Sequence, residues 1–243
     1  MQPLIATDKK TGNGIQEKPT VSGPDIYSLR KFLLICGIIS SLWYVAINIY
    51  VPRFFPGYSL TSQTISELSA IDAPTRQLWN LLALPYTLLA TGFGLGVWKS
   101  AGTNRRLRIA GVLLTIYGAL GIFWPFAPMH LREALAAGED SWTDSLHIGL
   151  AVITEMIYLL ALGFAAAALS KYFRQYSILT FVLLFVFGLL TFNEAPAISV
   201  NGPTPWIGVW ERINIGFFLL WMVVLAVLLL NQPGVQKGQS RST

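Results

Sequence analysis

The sequence predicts an all-α, polytopic membrane protein: a bundle of six transmembrane helices with both termini cytoplasmic. Three observations carry that reading. Only 12% of the 243 residues are charged and 53% are hydrophobic, whereas a soluble domain carries roughly 25% charged residues. Six apolar runs, each about the length of a bilayer crossing, recur along the chain. Lysine and arginine collect in alternate connectors between them.

Taken in order, residues 1–28 mix Gly, Pro, Lys, Thr and Ser without periodicity and read as a disordered cytoplasmic tail. They do not make a signal peptide. The first apolar run begins only near Phe32 and has no small-residue cleavage site behind it, so it reads as an uncleaved anchor. The transmembrane domain spans 29–231, and 232–243 form a second polar tail.

The runs are Phe32–Val51, Gln77–Trp98, Ile109–Pro125, Ile148–Ala168, Tyr176–Phe192 and Ile213–Leu230, and across all six the one charged side chain is Glu155. Strands of a membrane barrel would alternate polar and apolar residues. These runs do not, so they are helices, the form that satisfies its own backbone in lipid. Pro85 is expected to kink the second span. Gly92 and Gly96 form a G-x-x-x-G pair inside an apolar span, which signals close helix packing and not nucleotide binding. Small-residue faces of this kind also suit a homo- or hetero-oligomer.

Orientation follows from charge. The N-terminal tail, the 99–108 and 169–175 connectors and the C-terminal tail hold 13 of the 17 basic residues, leaving Arg53, Arg76, Arg132 and Arg212 for the other three loops. Basic loops face the cytoplasm, which places both termini inside and the protein in the cell membrane. Trp79, Trp98, Trp124, Trp142, Trp206 and Trp210 fall near span ends, the preferred depth for amphipathic rings.

Composition also excludes functions. The lone Cys36 permits neither an intrachain disulfide nor a Cys-based zinc site. Nothing resembles a P-loop, a redox C-x-x-C or a haem motif, so no cofactor is implied. The basic residues sit in short connectors and not on one face, so no nucleic acid partner is expected.

Most reactive side chains lie in the outer loops. Asp144, His147 and Glu155 share one arc of a helix advancing 100° per residue, with Glu155 near the bilayer midplane, where a charge must face the bundle interior, pair, or be neutralised. His147 with Asp144 suggests a general base and its holder. His130 adds a second imidazole, but two histidines and a carboxylate without H-E-x-x-H spacing give no metal site. In Thr64-Ile65-Ser66-Glu67-Leu68, Thr64 and Glu67 fit a capping box opening a short amphipathic helix. Adjacent Glu211 and Arg212 point in different directions from a helix, so each needs its own partner.

The Pro56-Gly57-Tyr58 turn, the Ile65-Ser66-Glu67-Leu68-Ser69-Ala70 block, the Pro128–His147 segment and Trp210-Glu211-Arg212 resemble the bacterial and archaeal membrane family known as domain of unknown function 998. The resemblance covers about Phe32 to Leu230. It implies a six-helix bundle and no established reaction. Ser59 and Gln63 stand where many members carry Asp and His.

The reading that results is a protein binding a membrane lipid or small amphiphile in a polar pocket open to the outer face. Ser66, Glu67, His130, Arg132, Glu211 and Arg212 would contact the ligand, with Asp144, His147 and Glu155 nearby. One alternative is a membrane hydrolase or transferase using His147 and Asp144. Another is a transporter using Glu155 as its proton or ion site.

Overall fold

The computed structural model describes residues 26–232; the expected tails fall almost wholly outside them. There are six long helices, α1 Ile26–Tyr50, α2 Arg76–Ser100, α3 Arg105–Leu120, α5 Trp142–Ala168, α6 Lys171–Glu194 and α7 Ile207–Leu230, with a short α4, Arg132–Ala136, between α3 and α5; the connectors are short at one end and long at the other. The first helix starts at Ile26, nearly two turns before the apolar run at Phe32, and continues through Arg30 and Lys31.

Each long helix packs on its successor, and α7 closes back on α1, so the six form a ring in chain order. Side chains tie the ring: Trp43 Nε1 donates to Leu82 O at 2.7 Å, in the turn of α2 that precedes Pro85. Ser41 Oγ donates to Leu219 O, and Trp221 Nε1 to Ser177 Oγ. The core is aromatic and aliphatic, with Leu34, Phe93, Leu114, Leu162, Leu184, Phe218, Trp221 and Met222 fully enclosed.

The outward surface is apolar. Phe32, Leu42, Leu81, Leu88, Ile148, Phe185 and Phe192 are all exposed. Five helices, α1, α2, α5, α6 and α7, lie in segments long and apolar enough to cross a membrane. The third run differs: α3 has 16 residues, about 24 Å at ~1.5 Å per residue, short of a roughly 30 Å hydrocarbon core. Residues 121–125, expected to continue it, turn instead, with a 3-10 turn at Trp124–Phe126.

Glycines set the closest approaches. Gly94 and Gly118 have no room for a Cβ against the backbone of Thr115 and Thr91, so α2 and α3 meet backbone to backbone. Within the G-x-x-x-G pair, a Cβ on Gly96 would fall 2.9 Å from Leu33 C, but one on Gly92 would reach only ordinary contact with Leu33 at 3.6 Å.

The loops sort into two ends. Arg30 Nη1 donates to Leu229 O, placing the start of α1 beside the end of α7. At that same end Asn104 Nδ2 donates to Ala168 O and Arg106 Nη1 to Ala167 O, joining the two basic connectors. At the opposite end, residues 51–75, 121–141 and 195–206 fold together into a cap. Trp79, expected at an interface, is buried there against Tyr44.

Candidate functional site

The cap is built around a buried ion pair. Thr64 and Glu67 do form the expected capping box: Thr64 N donates to Glu67 Oε2 at 2.8 Å, and Glu67 N to Thr64 Oγ1 at 3.3 Å. The segment is a 3-10 turn, Ser66–Ser69, and not an amphipathic α-helix, and it is enclosed: Ile65, Glu67 and Leu68 are buried. Glu67, completely inaccessible, meets Arg132 of α4 through two parallel contacts, Nε to Oε1 at 2.8 Å and Nη2 to Oε2 at 2.9 Å. Arg132 Nη1 donates to Thr204 Oγ1, and Nη2 also to Ser62 O. Hydrogen bonding to Glu67 holds the guanidinium pKa above its ordinary value against the opposing effect of burial.

A second clamp comes from α7. Arg212 Nη1 donates to Leu60 O, Gln63 O and Gly208 O, and Nη2 to the Tyr58 hydroxyl at 2.6 Å. Glu211 accepts from Ile65 N. The adjacent pair thus points in different directions, as helical spacing requires, and both grip residues 58–65. Tyr58 donates onward to Thr64 O at 2.7 Å. Burial raises its phenol pKa, opposed by the Arg212 charge. Ser59 and Gln63 are directly bonded, Ser59 N donating to Gln63 Oε1 at 2.8 Å, and Gln63 Nε2 reaches Glu67.

The third group lies over α5. Asp144 closes a capping box with Ser141 and accepts from His130 twice, from N at 2.7 Å and in an Nδ1 contact at 2.8 Å. His147 is therefore not held by Asp144. Its Nδ1 lies 2.7 Å from Ala127 O, its Nε2 2.9 Å from Ser66 Oγ, and Trp124 stacks edge-on against the ring. The expected His147–Asp144 pair fails because each group finds a nearer partner in a loop, and helix geometry does not reveal those loop contacts. Glu155 lies a further two turns along. Its carboxylate would crowd a Cβ on Gly188 at 2.9 Å, beside Asn214, which bonds Tyr158 and Leu184 O. It is half-buried, between α5 and α6.

The residues singled out from sequence therefore separate into paired-off groups and do not line one pocket. Among the described residues no three His, Cys, Asp or Glu side chains come together as a metal site would need. Two hollows open at the cap end. A shallow one of about 380 Å³, lined by Ser59, Ser62, Gln63 and Arg132, sits above the Glu67 ion pair. The larger, about 550 Å³, runs between α1 and α7 beneath the cap. Its walls include Val45, Ile49, Leu60, Ile215 and Leu219, and its polar atoms come from Tyr44, Asn48, Arg53, Tyr58 and Arg212. Of these the sequence marked only Arg212 as a ligand contact, with Tyr58 noted in the Pro56-Gly57-Tyr58 turn and Arg53 as an outer-loop basic residue. Asn48 lies inside an apolar run, and its polar amide was the one available signal for the rest.

No curated protein and no solved structure matches the chain. A family model described as protein of unknown function, DUF998, matches residues 38–228. The membrane-type helices and that match over most of its length establish that the chain belongs to the DUF998 family.

Proposed function

We propose that the protein is a multi-pass component of the cell membrane that binds an amphiphile with an anionic headgroup in the groove between α1 and α7. All six long helices cross, both termini are cytoplasmic, and the cap is extracytoplasmic. The segregation of basic connectors at one end supports this orientation. Apolar residues Ile122, Phe123 and Phe126 after α3 extend its short span.

The observation that carries the ligand reading is the groove itself. Ligand sites are concave and mostly apolar, with a few placed polar groups. Here an aliphatic trough is lined also by exposed Arg53 and by Arg212, whose charges favour a phosphate or carboxylate even though the Arg212 Nη atoms are engaged by the 58–65 loop, and by Asn48 and Tyr58. Asn48 Oδ1 and Arg212 Nε are buried without partners.

Gly216 lines the trough, and a Cβ there meets open space. Gly216→Leu therefore fills the groove without a backbone clash. Native mass spectrometry of the purified protein titrated with phosphatidylglycerol and phosphatidylcholine is the test. The expected result is preferential phosphatidylglycerol adducts that Gly216→Leu removes and Arg53→Ala weakens, at unchanged melting temperature. Equal adducts in all three proteins would refute the proposal.

A second reading, Glu155 as a proton or ion site, draws on its half-buried position beside Asn214. It requires Glu155→Gln to abolish proton-coupled flux in proteoliposomes.

A further inference from the structure

Several serine hydroxyls among the described residues return to nearby backbone carbonyls: Ser40 and Ser41 to Gly37 O, Ser69 to Ser66 O, Ser100 to Gly96 O, Ser199 to Pro196 O. Ser66 does otherwise. Its Oγ lies 2.9 Å from Nε2 of His147, 81 residues away. The far side of the ring fixes the roles. Nδ1 is 2.7 Å from Ala127 O, and a carbonyl can only accept, so Nδ1 carries the proton. Nε2 is left with its lone pair toward Ser66, and the serine O–H donates to it. Trp124 packs edge-on at 5.0 Å and limits rotation of the ring.

The surrounding backbone holds this geometry. Ile71 N donates to Met129 O at 2.7 Å, and Ile71 and His130 form a bridge, so the chain carrying Ser66 is stitched to the chain carrying Ala127. The base is shielded, with His147 7% exposed, but Ser66 is only half-buried. Exposed Phe123 and Phe126 flank Trp124 in the turn that leads to Ala127, which gives the surroundings an apolar lip. Nucleophile, base and a third group orienting the base form the arrangement that activates a serine.

We propose that Ser66 and His147 form a nucleophile–base pair that cleaves or transfers the acyl group of a carboxylic ester presented at the membrane surface. Ser66 Oγ bonds to the ester carbonyl carbon as its proton passes to His147 Nε2. The C–O bond to the alcohol breaks, and His147 returns that proton to the departing alcohol. Water, or a second alcohol for transfer, then attacks the acyl-serine with His147 as base, regenerating Ser66 and releasing acid or new ester. Asp144 has no part in orienting the base; Ala127 O fills that place. The proposal stands apart from the α1–α7 groove and does not depend on it.

The test uses full-length protein in detergent micelles, labelled with a fluorophosphonate probe and mapped by peptide mass spectrometry, with p-nitrophenyl butyrate hydrolysis alongside. The expected outcome is an adduct on Ser66, absent in Ser66→Ala, slowed about 100-fold or more in His147→Gln, and retained in Asp144→Asn. A folded protein without an adduct on Ser66, or one whose labelling His147→Gln leaves unchanged, overturns it. Ser66→Cys covers the case in which His147→Gln fails to fold. Its thiol should react with iodoacetamide with a pH midpoint well below the ordinary ~8.5, and an ordinary midpoint counts against the pair.

Discussion

Arg132 and Glu67, 65 residues apart in sequence, face each other through two parallel N–H···O contacts in a site where Glu67 has no solvent exposure. The pair joins α4 to the Ser66–Ser69 turn and, through Thr204 and Ser62, to the segment before α7. Removing one partner of a buried pair strands the other charge, typically at about 3–5 kcal/mol. Glu67→Ala should therefore lower the thermal midpoint of the detergent-solubilised protein sharply. Arg132→Lys should do so nearly as much, because an ammonium cannot reproduce the two-pronged contact. The double replacement Glu67→Met with Arg132→Leu should be milder than either single variant; a strictly additive loss would contradict this account.

Gly208 holds residues 58–65 against the start of α7. Its N–H donates to Thr61 O at 2.9 Å, and a Cβ would run into Gln63 O and Leu60 O. Since the obstacle is backbone, no rotamer change relieves it. Gly208→Ala should raise amide hydrogen exchange in 58–65 with little change in α2 or α3. Unchanged exchange there would show that the loop is held elsewhere.

The glycines of α2 are not equivalent. Gly94→Leu would drive a side chain into the α3 backbone at Thr115, and overpacking at such a site costs about 3 kcal/mol or more. Gly92→Ala adds only ordinary contacts with Leu33 and Cys36 and should be neutral or slightly stabilising, since alanine favours helix. Thermal melts of the two variants should separate clearly; similar midpoints would refute the packing argument.

Asp144 both caps α5 and holds His130. Ser141→Ala removes part of the cap alone and should cost about 1 kcal/mol. Asp144→Ala should cost more, because it also releases the His130 contact and backbone N–H. Equal losses in urea or thermal unfolding would indicate that the His130 contact contributes nothing.

Apolar helices are written in local composition, so a long helix under each of the six apolar runs was legible from hydropathy, but the third ends early and α1, α5, α6 and α7 begin before their apolar runs. After α3 the chain leaves the helix and forms a 3-10 turn at Trp124–Phe126, where Pro125 has no N–H to continue an α-helix. The division of connectors into two ends was also legible, because an antiparallel ring alternates ends and charge marks them. For Glu155 hydropathy offered three outcomes, facing the interior, pairing or neutralisation; the structure leaves it half-buried beside Gly188.

Partnership was not legible. Helix periodicity places Asp144 and His147 on one arc, but it cannot say which loop folds over that arc. The loop delivers His130 to one residue and Ala127 with Ser66 to the other. Glu67 and Arg132 were marked as polar outer residues, yet their burial follows from three loops closing together. The groove between α1 and α7 exists only because those two helices are neighbours in the ring, a contact between the first and last long helices of the described chain that local sequence does not encode.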